Sequence, residues 1–286
     1  MFVFVSIESP VYLNYTNVTS EIYLNYFNYT MTYRTDSDIQ YLYGSVISND
    51  TAEEKGFKDM ENENNFKRQF SATDAKFEKN GYTGDIYKNY SEIFREKTES
   101  LLWMVSHCQT QSKRESYIEE LAKFTNVTNI GRCNANKSSS CSNKLNCEID
   151  LAKKFKFYLA FENSLCIDYI TEKAFKWYSR DLIIVVRGAR DYQKFLPKGT
   201  FIDTNYFTSP KSLARYLNKL GSDEQRYTDI LKLKDHFKVI GEQEHAKIAY
   251  CNLCFKLNNL RQFRKSIKDV GAWWLENACV ISNDTG

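Results

Sequence analysis

The pattern of apolar and polar positions changes near residue 100. Before that point, a short apolar run at residues 2–7 is followed by an aromatic, Asn-rich segment and by a polar stretch at residues 48–80 with little periodicity. After it, apolar runs of strand length alternate with segments of helical periodicity, which is typical of a parallel sheet covered by helices. We therefore predict two domains, residues 1–98 with a polar surface insertion and residues 99–286.

Apolar runs and capping residues predict the elements of the second part. Ser112 with Glu115 forms a capping-box pattern ahead of a helix, and Ser209 followed by Pro210 marks the start of another. Strands are predicted at residues 101–106, 127–131, 156–161 and 182–186, and a further helix over 169–178. This alternation predicts a Rossmann-like half, in which ligands bind beyond the carboxyl ends of the strands.

Composition and charge exclude several classes of protein. The chain has 286 residues, of which 42% are hydrophobic and 26% charged, so it can bury one or two cores and is neither disordered nor fibrous. Its 39 basic and 36 acidic residues are spread along the chain, and no block of like charge suggests a nucleic-acid partner. No GxGxxG or Walker loop suggests a dinucleotide oxidoreductase or a P-loop kinase, and the three scattered histidines disfavour a zinc hydrolase.

Glycosylation sequons decide how the eight cysteines are interpreted. About three Asn-x-Ser/Thr triplets are expected by chance at this composition. The chain has triplets at Asn14, Asn17, Asn28, Asn49, Asn89, Asn126, Asn136 and Asn283. We therefore predict passage through the secretory pathway, where cysteines form disulfides. No run reaches the roughly 18 apolar residues that span a bilayer, so the targeting segment is expected outside this chain.

The most specific stretch is KFYLAFENSLCIDYITEK, residues 156–173. Its strand delivers polar residues to a carboxyl end, and Asp168 is predicted to cap the helix that follows. A lysine at a helix start suits a pyrophosphate, and carboxylates can accept ribose hydroxyls. A strand that ends at a solvated helix cap would carry the same residues, so the stretch alone leaves both interpretations open.

This stretch resembles the signature of the α-1,3-fucosyltransferase family, which runs FYLxFENSxxxDYxTEK. Two upstream elements strengthen the resemblance, ESP at residues 8–10 and MTYRTDSDI at residues 31–39. Other family elements follow in order, so the resemblance covers nearly the whole chain outside the polar insertion. Because Asp36 and Asp38 belong to the second upstream element, we interpret them as turn formers rather than as a DxD metal site.

The resemblance implies a fold, an activity and a location. The fold is an α/β fold of GT-B type, two Rossmann-like domains with the active site between them, the first lacking its opening strands. The activity is an inverting transfer of fucose from GDP-fucose to a GlcNAc hydroxyl of a glycoprotein N-glycan, in α-1,3 linkage. The location is the Golgi membrane with a lumenal catalytic domain, held by an anchor absent from this chain. No cofactor or bound metal is implied, and stimulation by a divalent metal is left open.

The family motifs also assign roles to residues. Glu8 is expected to be the general base that takes the proton from the acceptor hydroxyl. Arg114 and Lys173 are expected to stabilise the departing diphosphate, with the Arg114 guanidinium binding phosphate in bidentate fashion. The other donor-binding residues are expected to be Glu162, Asn163, Ser164, Tyr169 and Glu172. Tyr33 and Arg34 are candidate cleft residues.

Several departures and alternatives remain. Cys166 resembles the branch of the family that modifies the innermost GlcNAc of N-glycans rather than the Lewis-type branch, and Arg187 stands where many members have Leu. The CxxC at Cys251 and Cys254 is either bonded elsewhere, for instance to Cys279, or free. A truncated member that binds GDP or glycan without turnover, and a disulfide-rich secreted glycoprotein without a nucleotide site, are the competing functions.

Overall fold

The computed structural model describes residues 1–12, 18–49, 88–133, 144–189 and 191–282. Most of the predicted polar insertion lies outside these residues. So do Cys141 and the sequon asparagines Asn14, Asn17, Asn136 and Asn283.

A five-stranded parallel sheet forms the larger part of the fold. In chain order its strands are β5 (Glu99–Met104), β6 (Val127–Ile130), β7 (Phe155–Phe161), β8 (Ile183–Arg187) and β9 (Ile202–Asp203). Their spatial order is β6-β5-β7-β8-β9, and every neighbouring pair is parallel. Strand β8, between β7 and β9, is buried along its whole length, which explains its continuous apolar run. All four predicted strands are present, and the predicted α/β class is confirmed.

Helices cover both faces of this sheet. They are α1 (Tyr90–Glu96), α2 (Arg114–Ala122), α3 (Lys144–Lys154), α4 (Glu172–Tyr178), α5 (Pro210–Ser222) and α6 (Glu224–Lys234). One core lies under α2, α5 and α6, and the other lies under α3 and α4. The predicted start of α5 is confirmed, because Ser209 and Ser212 cap each other reciprocally. Its apolar face, Leu213, Leu217 and Leu220, is buried.

A smaller parallel sheet comes from the start of the chain. It contains β1 (Val3–Ser6), β2 (Tyr29–Thr32) and β3 (Ile39–Gln40), in that order. The next strand, β4 (Gly44–Ser48), pairs antiparallel with β10 (Phe237–Gly241). The end of the chain returns to this sheet as α7 (Glu242–Asn258), α8 (Leu260–Phe263) and α9 (Val270–Leu275). None of the helices in the described ranges is long and apolar enough to cross a membrane.

Two predicted helix starts are wrong. Helix α2 follows Lys113, which has a left-handed backbone (φ +48°) and no side-chain cap, while the Ser112 hydroxyl donates to the Glu162 carbonyl (2.7 Å). Helix α4 starts at Glu172 and is capped by Thr171 rather than by Asp168. Asp168 has φ +57°, a left-handed conformation that short polar side chains adopt more readily than most, and its carboxylate accepts hydrogen bonds from elsewhere.

Candidate active site

The loop after β1 meets the loop that joins β7 to α4, residues 162–171, which we call the donor loop. Glu8 Oε1 accepts hydrogen bonds from Tyr169 Oη (2.6 Å) and from the backbone N of Ser9 (2.9 Å). Ser9 Oγ lies 2.7 Å from Ser164 Oγ. Both loops leave the carboxyl ends of parallel strands, where ligands bind in sheets of this type. The predicted base and the predicted donor residues therefore meet, although Glu8 and Tyr169 are 161 positions apart.

A second contact joins the same two parts of the chain. The backbone N and Oγ1 of Thr35 donate to Asp168 Oδ2, at 3.0 and 2.6 Å. Lys194 Nζ lies 3.8 Å from Asp168 Oδ1. Asp168 therefore links the early family element at residues 31–39 to the donor loop, instead of capping α4.

Glu162 organises the interior of the donor loop. Its carboxylate is buried and accepts from the backbone N of Thr171 (2.8 Å) and from Thr171 Oγ1 (3.0 and 2.8 Å). Lys173 Nζ completes the group at 3.1 Å from Glu162 Oε2. Burial raises the pKa of Glu162, and the Lys173 charge acts against that rise. Glu162 thus holds the start of α4 in place rather than facing solvent.

Lys173 keeps its charge in this setting. Burial alone would lower the pKa of Lys173, but the carboxylates of Glu162 and then Glu172 outweigh burial, so the pKa is raised. Its Nζ also lies 2.8 Å from Thr171 Oγ1. The Lys173 side chain is 22% exposed, so its charged ammonium group remains accessible to a ligand at the start of α4.

The loop after β8 approaches Glu162 so closely that it requires a glycine. A Cβ added to Gly188 would lie 2.6 Å from Glu162 Cγ and 2.8 Å from the Tyr192 hydroxyl, and Gly188 has φ +159°. The Glu162 backbone N donates to the Arg187 carbonyl (2.8 Å). The close packing of Gly188 against the Glu162 side chain therefore helps to fix the position of Glu162.

Aromatic side chains pack between the first sheet and the donor loop. The Tyr33 ring centroid lies 5.0 Å from that of Tyr169 and 5.5 Å from that of Trp274, and the Tyr43 hydroxyl donates to the Ile7 carbonyl (2.7 Å). Burial raises the pKa of Tyr169 far above its usual value, so its hydroxyl keeps the proton that it donates to Glu8. The Tyr33 hydroxyl is buried and has no partner among the described residues.

Arg114 is engaged by the protein itself. Its guanidinium donates to the carbonyls of Phe161 (2.7 Å) and His107 (2.8 Å) and to the Glu115 carboxylate (3.2 Å), and the side chain is buried. The phosphate contact that we predict for Arg114 stays a prediction, since Nη1 and Nη2 each carry a second N–H beyond the ones used in these bonds. Arg114 bridges the end of β7 and the loop after β5 through the carbonyls of Phe161 and His107.

Arg34 and the acidic pair beside it have local partners. Arg34 donates through Nε and Nη2 to Asp36 (2.9 and 2.6 Å) and through Nη1 to the Trp273 carbonyl (2.6 Å), and its guanidinium stacks over the Trp273 ring. Asp38 accepts from Thr30 and pairs with Lys265. Asp36 and Asp38 thus face different partners, and no cluster of three potential metal ligands occurs within the described residues.

Some polar side chains are left facing solvent beside this network. Glu8 and Glu172 are exposed and Asn163 is partly exposed. A cavity of about 640 Å³ lies along the outer side of α4, with Glu172 and Phe175 in its wall. It lies against β10 and the start of α7 and is separate from the contact between Glu8 and Tyr169.

Five of the seven cysteines in the described ranges are disulfide-bonded, in agreement with the prediction of disulfides. Cys108 bonds to Cys133, Cys166 bonds to Cys279, and Cys147 is also disulfide-bonded. Cys251 and Cys254 are free and exposed. Of the two alternatives for that CxxC, the free state is therefore the one observed, and Cys279 has another partner.

Sequence reasoning misses several residues that build the site. Thr35 and Lys194 give no signal beyond lying in or near the family motifs, and Asp168 is wrongly predicted to cap α4. Thr171 before Glu172 matches the preference for Thr at a helix N-cap, so its role could have been found. The contact between Thr35 and Asp168 is 133 positions apart and has no local signature.

Comparisons with known proteins place the chain in a family. A model described as "Glycosyltransferase family 10 (fucosyltransferase) C-term" matches residues 94–273, and one described as "Fucosyltransferase, N-terminal" matches residues 1–44. Alpha-(1,3)-fucosyltransferase C of Drosophila melanogaster is 32% identical over 257 residues, 89% of this chain and 55% of the relative. Glycoprotein 3-alpha-L-fucosyltransferase A of Drosophila melanogaster is 39% identical over 184 residues, 62% of this chain and 35% of the relative. The chain thus spans about half or less of these relatives.

Solved structures support the fold. The crystal structure of an alpha1,3-fucosyltransferase with GDP superposes with a TM-score of 0.55 at 19% identity, over 92% of this chain and 76% of that chain. The structure of an alpha1,3-fucosyltransferase with GDP-fucose gives a TM-score of 0.50 at 16% identity, over 88% and 74%.

Proposed function

Because the chain belongs to glycosyltransferase family 10, the fucosyltransferases, we propose that it transfers fucose from GDP-fucose to a GlcNAc hydroxyl of glycoprotein glycans in α-1,3 linkage. The observation that carries the proposal is the 2.6 Å hydrogen bond from Tyr169 to Glu8. It joins a carboxylate from one part of the chain to the family signature of the other. A site for two substrates needs such a junction.

Glu8 acts as the general base in this proposal. The two hydrogen bonds that the Glu8 carboxylate accepts from described residues go to Oε1, so we assign Oε2 to the acceptor hydroxyl. As the hydroxyl oxygen attacks C1 of fucose, its proton moves to Glu8 Oε2, and the bond from C1 to the GDP oxygen breaks with its electron pair on the diphosphate. Attack opposite the leaving group inverts the configuration at C1.

The donor loop binds GDP-fucose in this proposal. The Lys173 ammonium, fixed by Glu162 and Thr171, stabilises charge on the departing diphosphate. The exposed Glu172 carboxylate accepts ribose hydroxyls, and Asn163 and Ser164 hydrogen-bond the donor. Arg114 supports the loop through the Phe161 and His107 carbonyls, and the second N–H groups of Nη1 and Nη2 are the ones that would donate to the diphosphate. Tyr33 and Arg34 shape the cleft wall.

The acceptor and the location follow from related considerations. Similarity to a relative named as a glycoprotein 3-alpha-L-fucosyltransferase and Cys166 in the signature favour an N-glycan core acceptor over a Lewis-type one. Sequons and disulfides favour the Golgi lumen. We propose a reaction without a resident cofactor and leave stimulation by divalent metal to experiment.

A non-catalytic member that binds GDP or glycan is the second candidate. It is favoured by one observation, that the Arg114 guanidinium, which is expected to bind the diphosphate, donates to two carbonyls of the protein itself. This candidate retains the donor loop but has no turnover.

Replacement of the base tests the proposal. Glu8→Gln should lower fucose transfer by about 10²- to 10⁴-fold, the usual contribution of a general base, while GDP affinity by calorimetry stays unchanged. Glu21→Gln, at an exposed carboxylate, is the matched control and should behave as wild type. Transfer that survives in Glu8→Gln, or GDP binding lost from a folded variant, would contradict the role of Glu8. GDP binding by wild type without turnover would favour the second candidate.

A further inference from the structure

The last described residues, 276–282, run along the donor loop, and we call them the strap. Cys279 in the strap is bonded to Cys166 in the loop. Backbone hydrogen bonds lie on both sides of that disulfide, from Ile167 N to Ala278 O (2.7 Å) and from Val280 N to Leu165 O (2.8 Å). The strap therefore pairs with the loop like a short antiparallel strand, with the disulfide at its centre.

Two side chains tie this pair to the large sheet. Gln111 Oε1 accepts from the Leu165 backbone N (3.1 Å), and Gln111 Nε2 donates to the Val280 carbonyl (2.8 Å). Arg187 Nη2 donates to Ser282 Oγ (2.9 Å), and both side chains are buried. The strap and the loop thus share fixed supports from the loop before α2 and from the end of β8.

The disulfide lies in the middle of the residues that reach the other part of the chain. Ser164, Asp168 and Tyr169 contact Ser9, Thr35 and Glu8 respectively. Cys166 stands two positions after the first of these donor-loop residues and two and three positions before the others. Without the strap, this stretch of loop contains no helix or strand of its own to hold it.

We propose that the Cys166–Cys279 disulfide positions the general base, because it fixes the donor-loop residues that hold Glu8. The inference rests on the proposed function. Glu162, Thr171 and Lys173 form a separate network at the start of α4, so the contacts proposed for Lys173 and Glu172 with GDP do not depend on the strap. The disulfide acts through Tyr169 and Ser164 and is a positioning element, with no contact to the reacting atoms.

Removal of the disulfide should therefore lower kcat and leave GDP binding intact. In Cys166→Ala/Cys279→Ala, kcat should fall by about 10- to 100-fold, since misplacement of a reacting group by ~1 Å can cost ~100-fold. Kd for GDP should stay as in wild type, because Lys173 and Glu172 keep their positions. Cys108→Ala/Cys133→Ala, which removes the disulfide near the ends of β5 and β6, is the control and should leave the kcat of the folded enzyme unchanged.

A second variant keeps the test decisive where the disulfide variant fails to fold. Gln111→Leu retains the disulfide but removes the two hydrogen bonds that Gln111 makes to the loop and the strap, and it should lower kcat in the same direction at unchanged Kd for GDP. An unchanged kcat, or a kcat that falls together with GDP affinity, would overturn the proposal for either variant.

Hydrogen–deuterium exchange separates this proposal from the proposed function. Amides at residues 162–169 should exchange faster in the Cys166→Ala/Cys279→Ala and Gln111→Leu variants than in wild type, while the control disulfide variant should not change them. If wild type transfers no fucose, the proposed function fails alone and the exchange result still decides the strap. Unchanged exchange in both strap variants would overturn the positioning proposal.

Discussion

Tyr169 makes the hydrogen bond that joins the donor loop to Glu8. Tyr169→Phe keeps the ring that contacts Tyr33 but removes the hydroxyl that donates to Glu8 (2.6 Å). Since a hydrogen bond to a charged group contributes about 1.5–3 kcal/mol, we expect kcat to fall roughly tenfold or more, with Kd for GDP unchanged. Steady-state kinetics and calorimetry check this, with Tyr206→Phe, at an exposed tyrosine, as the control. Full activity in Tyr169→Phe would show that Glu8 does not need this support.

At this scale the sequence predicts which residues meet but not how each is used. Glu8, Ser164, Tyr169 and Lys173 come from the family motifs and lie together around one cleft. Arg114 also comes from a motif, yet its guanidinium is taken up by two backbone carbonyls. Long-range hydrogen bonds decide that outcome, and no local pattern reveals them.

A buried histidine, His245, lies in the contact between β4 and α7 and makes the free energy of unfolding depend on pH. His245 is buried, and its Nε2 lies 2.9 Å from Ser45 Oγ. Burial lowers the pKa of His245 to about 4. Between about pH 6.5 and 4, His245 is therefore protonated in the unfolded chain but neutral in the folded chain. The stabilisation from neutral His245 is complete above that window and lost as pH falls through it, by about 3 kcal/mol in all.

The measurement is the free energy of unfolding of wild type and His245→Gln between pH 7 and 4. Because the carboxylates titrate in both proteins, the difference between the two curves isolates His245. The stability of wild type relative to the variant should decrease as pH falls. A flat difference for His245→Gln would contradict the assigned burial effect.

The elements themselves are well predicted, but their starts are less so. Apolar runs locate all four predicted strands, because buried parallel strands need nearly continuous apolar residues. The Ser209 cap is also predicted, since both partners of that capping box are local. Ser112 and Asp168 match helix caps in the sequence, but Lys113 and Asp168 adopt positive φ. The side chains of Ser112 and Asp168 hydrogen-bond instead to residues distant in the sequence. Tertiary contacts override the local signal at both places.

At the scale of the molecule, the end of the chain closes over its beginning. Helices α7 and α9 pack on the first sheet, where Trp274 lies against Phe4 and Tyr33, and β10 pairs with β4. The α/β class is predicted from the alternation of strands and helices, whereas this return follows from contacts that periodicity does not encode. The domain boundary at residue 98 stays a prediction.

The most direct test of the account is fucose transfer by this chain, secreted from a eukaryotic host so that its disulfides form. GDP-fucose would be supplied with an N-glycan core acceptor and, separately, with N-acetyllactosamine, and the product would be identified by mass spectrometry and linkage analysis. We predict α-1,3-linked fucose on the innermost GlcNAc of the N-glycan core. A folded, disulfide-bonded protein that binds GDP but transfers fucose to neither acceptor would contradict the claim that Glu8 and the donor loop form a complete catalytic site.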